Sequence, residues 1–197
     1  MTTAKREITR ADILPVEVYA EQRKAQRARV RAVKKNRHLE VGPVCSFYFE
    51  SYDTMWYQVH EMLYIERGGE AQIADELAAY NPLVPKGDEL VATVMFEIDE
   101  PERRTALLSK LGGIEETAFL RVAGETVPGV AETDLDRTTA QGKASAVQFI
   151  HFPLSPAQIT QFKTPGAEVI VGFTHPTYGH MASLPEAVRA ALATDLT

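Results

Sequence analysis

His60-Glu61-Met62-Leu63-Tyr64 comes within one residue of the zinc-protease pattern, two histidines four apart on a helix with a glutamate base between them. Tyr64 stands where the second imidazole is needed, and His60 and Glu61 point about 100° apart on a helix, so that chemistry is not supported. Tyr57, Glu61 and Tyr64 do share a helical face, and Glu50 closes the strand just before it. A pocket of Glu50, Tyr57 and Glu61 could bind a cation or hold a general acid–base pair, because neighbouring carboxylates raise one of their pKa values. The plainer alternative is a solvated face with ordinary tyrosines. His151 and His175 each lie on a strand beside aromatics. If those strands are neighbours, two imidazoles and one carboxylate, with Glu61 as the candidate, suit iron or another transition metal. Each histidine reads equally well as a core residue satisfied by a backbone carbonyl.

Cys45 is the single cysteine, which excludes an internal disulfide and a cysteine-based zinc cluster. It alternates with Phe47 and Phe49, so the thiol is expected to face apolar packing and to be inert.

The charge is divided unevenly. Residues 1–38 hold eleven of the 21 Lys and Arg against four acidic side chains, a balance of +7, so the other 159 residues carry −13 of the net −6. Such a split points to a basic segment docked on an acidic body or offered to an acidic partner, with Arg23, Arg27, Arg31, Lys34 and Lys35 as the contact residues. Nucleic acid is disfavoured as that partner, since no aromatics alternate with the basic residues and the body is acidic. A homodimer, with one chain's basic segment on another's acidic surface, is a further possibility. No apolar run is long enough to span a bilayer and the first residues lack a signal-peptide core, so a cytoplasmic protein is expected.

These residues need elements to position them. At 197 residues and 45% apolar composition, one domain is expected: a basic N-terminal helix or arm over 1–38 and a globular body over 44–197. A helix is expected from about 12–15 to 36, with Val16, Tyr19, Val30 and Val33 along one side, interrupted by Arg23 and Gln26. Strands are expected at 44–50, 90–98, 144–154 and 168–175, with a hairpin around Gly124. Helices are expected at 53–67, 70–80, 99–111, 155–162 and 183–196. Gly112-Gly113 is placed as the stop of the third of these, and 133–142 as a polar surface loop. The 144–154 segment is apolar on both faces and should be central. Short connections and neighbouring strands predict α+β, a mostly antiparallel sheet flanked by helices with a long basic helix at the N-terminus.

Ile8-Thr9-Arg10-Ala11-Asp12-Ile13-Leu14-Pro15, Asp53-Thr54-Met55-Trp56-Tyr57-Gln58-Val59-His60-Glu61-Met62, Glu76 to Pro85, Ser145-Ala146-Val147-Gln148-Phe149, His175-Pro176 and Leu184 to Arg189 follow one another in an order that resembles the domain-of-unknown-function family 3501. Trp56 departs from that pattern, where a basic residue is expected. The resemblance runs from about Ile8 to Leu196. It implies no established activity and no catalytic residue. It does suggest a neighbourhood of rubrerythrin-type and iron–sulfur proteins, hence an accessory or partner-binding role in redox or peroxide metabolism. A metal-dependent enzyme or redox protein built on the Glu, Tyr and His residues is the alternative, and nucleic-acid binding through the basic helix a further one.

Overall fold

The computed structural model describes residues 5–133 and 137–197. Five strands form one sheet, in the order β1 (His38–Glu40), β2 (Cys45–Phe49), β3 (Glu89–Phe96), β7 (Val147–Pro153) and β6 (Val130–Ala131). Four form a second: β5 (Glu125–Pro128), β4 (Ala118–Val122), β8 (Val169–Phe173) and β9 (Met181–Ser183). Every pairing between these strands is antiparallel. With six α-helices beside them, the class is α+β.

The alternation of side chains along the strands divides the first sheet cleanly. Phe47, Phe49, Ala92, Val94, Ile150 and Phe152 face the second sheet and share a core with its Leu120, Val171 and Phe173. The opposite face carries the cross-strand row His38, Tyr48, Thr93 and Phe149. Part of that face is covered by α2 (Tyr52–Glu66), through Met55, Trp56, Val59 and Leu63 packed around Val91. Ser51 caps α2 by accepting from the Thr54 amide while the Thr54 hydroxyl accepts from the Ser51 amide. α3 (Glu70–Tyr80) follows, and Ile73 joins the same cluster.

The expectation of a long basic helix at the N-terminus is not borne out. α1 spans only Val16–Lys34, because Pro15 keeps Leu14 out of helical geometry and Arg37 turns away into the body. Before α1 the chain runs extended with one 3-10 turn, Arg10–Asp12, and buries Ile8 and Ile13. The Asn81 side chain clamps this segment by accepting from the Ile8 amide (2.8 Å) and donating to its carbonyl (2.9 Å). Arg37 is buried in a two-pronged ion pair with Asp195 at 2.7 and 2.9 Å. His38 already belongs to β1.

Other boundaries shift for local reasons. The helix expected to stop at Gly112-Gly113 is α4 (Pro101–Leu108), with Pro101 in its first turn, and Gly113 instead opens a 3-10 turn over Ile114–Thr117. The hairpin at Gly124 is present: Ala123 and Gly124 both take positive φ (48° and 87°), as a two-residue primed turn requires. Its second arm, however, divides at Gly129, so that β5 stays in one sheet and β6 crosses to the other. Ile150 and Ala118 leave no room for a Cβ at Gly129. β7 has only two-residue β6 beyond it and is half-exposed on its outward face, so it is not the doubly covered central strand expected. Of the loop expected at 133–142, residues 134–136 lie outside the described residues, as do residues 1–4; Thr138 bridges Ala144. α5 (Pro156–Lys163) carries the Ser155–Gln158 capping box, and α6 (Glu186–Leu192) continues into a 3-10 turn.

Candidate functional site

α1 lies on α2 along a stripe of Tyr19, Arg23, Gln26, Val30 and Val33, the residues of the helix that lose solvent together with Val16. Helical spacing then sets a second stripe beside it: Lys24, Arg27, Arg31, Lys34 and Lys35 are all exposed along one flank. None of these five side chains makes a hydrogen bond or ion pair among the described residues. The other basic residues of 5–38 are engaged. Lys5 binds Asp12, Arg10 grips Glu70 with two bonds, Arg29 reaches Asp53 at 2.8 Å, and Arg37 holds Asp195. Arg6 donates to the Pro85 and Asp195 carbonyls.

Arg23 belongs with that engaged group. It takes both oxygens of Glu61 (2.9 and 2.8 Å), and Tyr19 donates its hydroxyl to the same carboxylate at 2.7 Å. Arg23 holds the Glu61 carboxyl below its usual range, and burial together with Glu61 pushes the Tyr19 hydroxyl up. The Arg23 guanidinium also covers the Tyr64 ring at 4.6 Å, and Tyr57 borders the group. Glu61 is thus the anchor between α1 and α2.

Its neighbour His60 is equally committed. It accepts from the Leu14 amide at 3.0 Å and its other nitrogen meets the Trp56 carbonyl at 2.7 Å, so it is neutral in the fold; burial lowers its pKa. Trp56 donates to the Asp12 carbonyl, and Arg29 lies 5.7 Å over its ring.

Glu50 is buried elsewhere, at the end of β2. Thr54 and Thr93 donate hydroxyls to its two oxygens at 2.5 and 2.6 Å, and neither Tyr57 nor Glu61 bonds to it. His151 projects from the same sheet face with Val91 between. Its two ring nitrogens lie 2.8 Å from Glu89 and 2.8 Å from Glu132. Burial alone would lower the imidazole pKa; the two carboxylates outweigh it and raise the net value. His175 is near the other sheet, with Nδ1 accepting from the Thr177 amide and Nε2 facing the Gly112 carbonyl at 3.3 Å, so both ring nitrogens are satisfied by backbone. Cys45 is buried, and burial raises its thiol pKa.

The structure therefore does not bring Glu50, Tyr57 and Glu61 into one pocket, nor Glu61, His151 and His175 onto one point. Among the described residues no group of three or more His, Cys, Asp and Glu is arranged to hold a metal. Glu89 and Glu132 were not singled out from the sequence. They reach His151 from 62 and 19 residues away, and only strand register brings them together. Among the described residues no helix is long and apolar enough to cross a membrane.

A crystal structure of a protein of unknown function from Burkholderia pseudomallei is similar to this chain. The two are 41% identical with a TM-score of 0.89, over 96% of this chain and 99% of the other. No curated protein matches. The family model for a protein of unknown function (DUF3501) matches residues 7–196. With both matches covering nearly its whole length, the chain belongs to the DUF3501 family.

Proposed function

We propose that this protein is a partner-binding protein whose α1 flank docks an acidic protein surface. The observation that carries the reading is the set of five unneutralised cations, Lys24, Arg27, Arg31, Lys34 and Lys35, on one exposed flank of a protein whose net charge is −6. Complementary charge of this kind mainly accelerates encounter and makes it salt-sensitive, which suits transient partners. The family resemblance favours a rubrerythrin-like or iron–sulfur protein as that partner. Nucleic acid suits the flank less well. The Tyr64 face that a base would stack on is already covered by Arg23, and the acidic remainder repels a polyanion.

Zero-length carbodiimide coupling joins lysines to carboxylates in contact. With a purified rubrerythrin or iron–sulfur ferredoxin, peptide mapping should recover Lys24, Lys34 and Lys35 joined to partner carboxylates at low salt. Coupling confined to other lysines would refute the proposed face. Coupling of these lysines to a second copy of this chain would make the flank a self-association surface instead.

A further inference from the structure

A second group of basic side chains lies beside the start of β2 and the end of β3. α4 presents Arg103, Ala106, Leu107 and, two residues past its end, Lys110 at spacings of three, four and seven, so the four share one face. Across from them are Pro43 and Val44 before β2, Ile98 after β3, and Thr177, Tyr178 and His180 between β8 and β9. Together they enclose an open cavity of about 360 Å³, within the size range of small-molecule sites.

Three features distinguish it from an ordinary surface dip. Its lining holds two cations and an imidazole but no carboxylate, in a chain with 27 acidic residues. The Arg103 and Lys110 side chains have no hydrogen-bond or ion-pair partner among the described residues, whereas the adjacent Arg104 side chain is tied to the Ile98 carbonyl at 3.1 Å. Finally, one wall is closely fitted. Gly42, at φ 74°, lies so near His180 and Tyr178 that an added Cβ would stand 2.6 and 2.8 Å from them. The Tyr178 hydroxyl donates to the Val41 carbonyl at 2.9 Å and accepts from the Val44 amide at 3.3 Å, and the His180 ring meets the Tyr178 ring edge to face at 4.5 Å. Burial pushes the Tyr178 hydroxyl up to about 12, so it remains a donor.

We propose that this cavity binds a small organic anion, its carboxylate or phosphate head held by Arg103 and Lys110 and its apolar body resting on Val44, Ile98 and Leu107. A bare inorganic anion would leave the apolar floor wet, and an apolar or cationic molecule would leave two charges unmatched. The site is independent of the α1 flank.

Backbone amide NMR of the full chain, titrated in parallel with phenyl phosphate, benzoate, inorganic phosphate and benzylamine, tests the assignment. Phenyl phosphate or benzoate should shift the amides of Leu107, Lys110, Thr177 and His180, and whichever binds identifies the head group. The double variant Arg103→Gln/Lys110→Gln should weaken that binding by about tenfold or more, as expected for loss of charge-assisted bonds. Both side chains are exposed, so its spectrum elsewhere should be unchanged. Ala106→Trp, which fills the cavity from an exposed helix position, should abolish the shifts without removing charge. Equal shifts with benzylamine or inorganic phosphate, or none with any probe, would overturn the proposal.

Discussion

His60 and His151 respond to pH in opposite senses, although both are histidines bonded on both nitrogens. His60 is neutral in the fold with a lowered pKa, so the unfolded chain binds the extra proton first. Its contribution is present above the unfolded value of about 6.5 and lost as pH falls below it. His151, with its pKa raised by Glu89 and Glu132, binds its proton more tightly when folded. Its contribution is complete below about 6.5 and lost as pH rises through the higher folded value. Urea denaturation of wild type and His151→Gln should therefore show the larger stability gap at pH 5.5 and a smaller one at pH 9; a gap that ignores pH would disprove the ion-pair assignment. Replacing His60 by Phe strands the Leu14 amide and should cost about 1–3 kcal/mol by the same assay.

Between α1 and α2 the contact depends on a thin apolar stripe and one charged anchor. Tyr19 and Val30 are the only fully buried residues of α1, so Glu61, which binds Arg23 and Tyr19 at once, should carry much of the attachment. Glu61→Gln is expected to lower stability by about 1.5–3 kcal/mol, the range for hydrogen bonds to charged groups, and to speed hydrogen exchange in α1 more than in β3. Equal protection of α1 in both proteins would count against the anchor. Much at this scale was legible in the sequence. The stripe of Met55, Val59 and Met62, with Trp56 and Leu63 beside it, placed α2, although Met62 is only part-buried, and Asn81-Pro82 ended α3, because both signals are local. What was not legible depended on distance along the chain. Nothing near Gly129 announces that the ribbon splits between two sheets, and β7 looked central because covering by α2 and edge pairing by β6 are tertiary facts. The clasp around His151 failed to show for the same reason. Four of the five exposed cations, Arg27, Arg31, Lys34 and Lys35, could be read directly, since helical spacing decides which lysines and arginines share a flank; Lys24 was missed, and that Arg23 is not one of them required seeing Glu61.

At the scale of the whole molecule the uneven charge is partly resolved inside the chain. Glu61, Asp53, Glu70 and Asp195 neutralise arginines of the N-terminal region, and these pairs tie that region to the body. Apart from Arg6, which bonds only backbone carbonyls, what remains is an excess on one flank of α1, the proposed docking surface. Calorimetric titration of an acidic iron–sulfur or rubrerythrin-like protein at 20 and 300 mM NaCl, with wild type and the triple variant Lys24→Glu/Arg27→Glu/Arg31→Glu, tests it most directly. Binding at low salt should weaken about tenfold or more at high salt, as exposed charges are screened, and the triple variant should show no measurable binding at either. Wild-type and charge-reversed proteins binding alike, or neither binding at 20 mM, would contradict it.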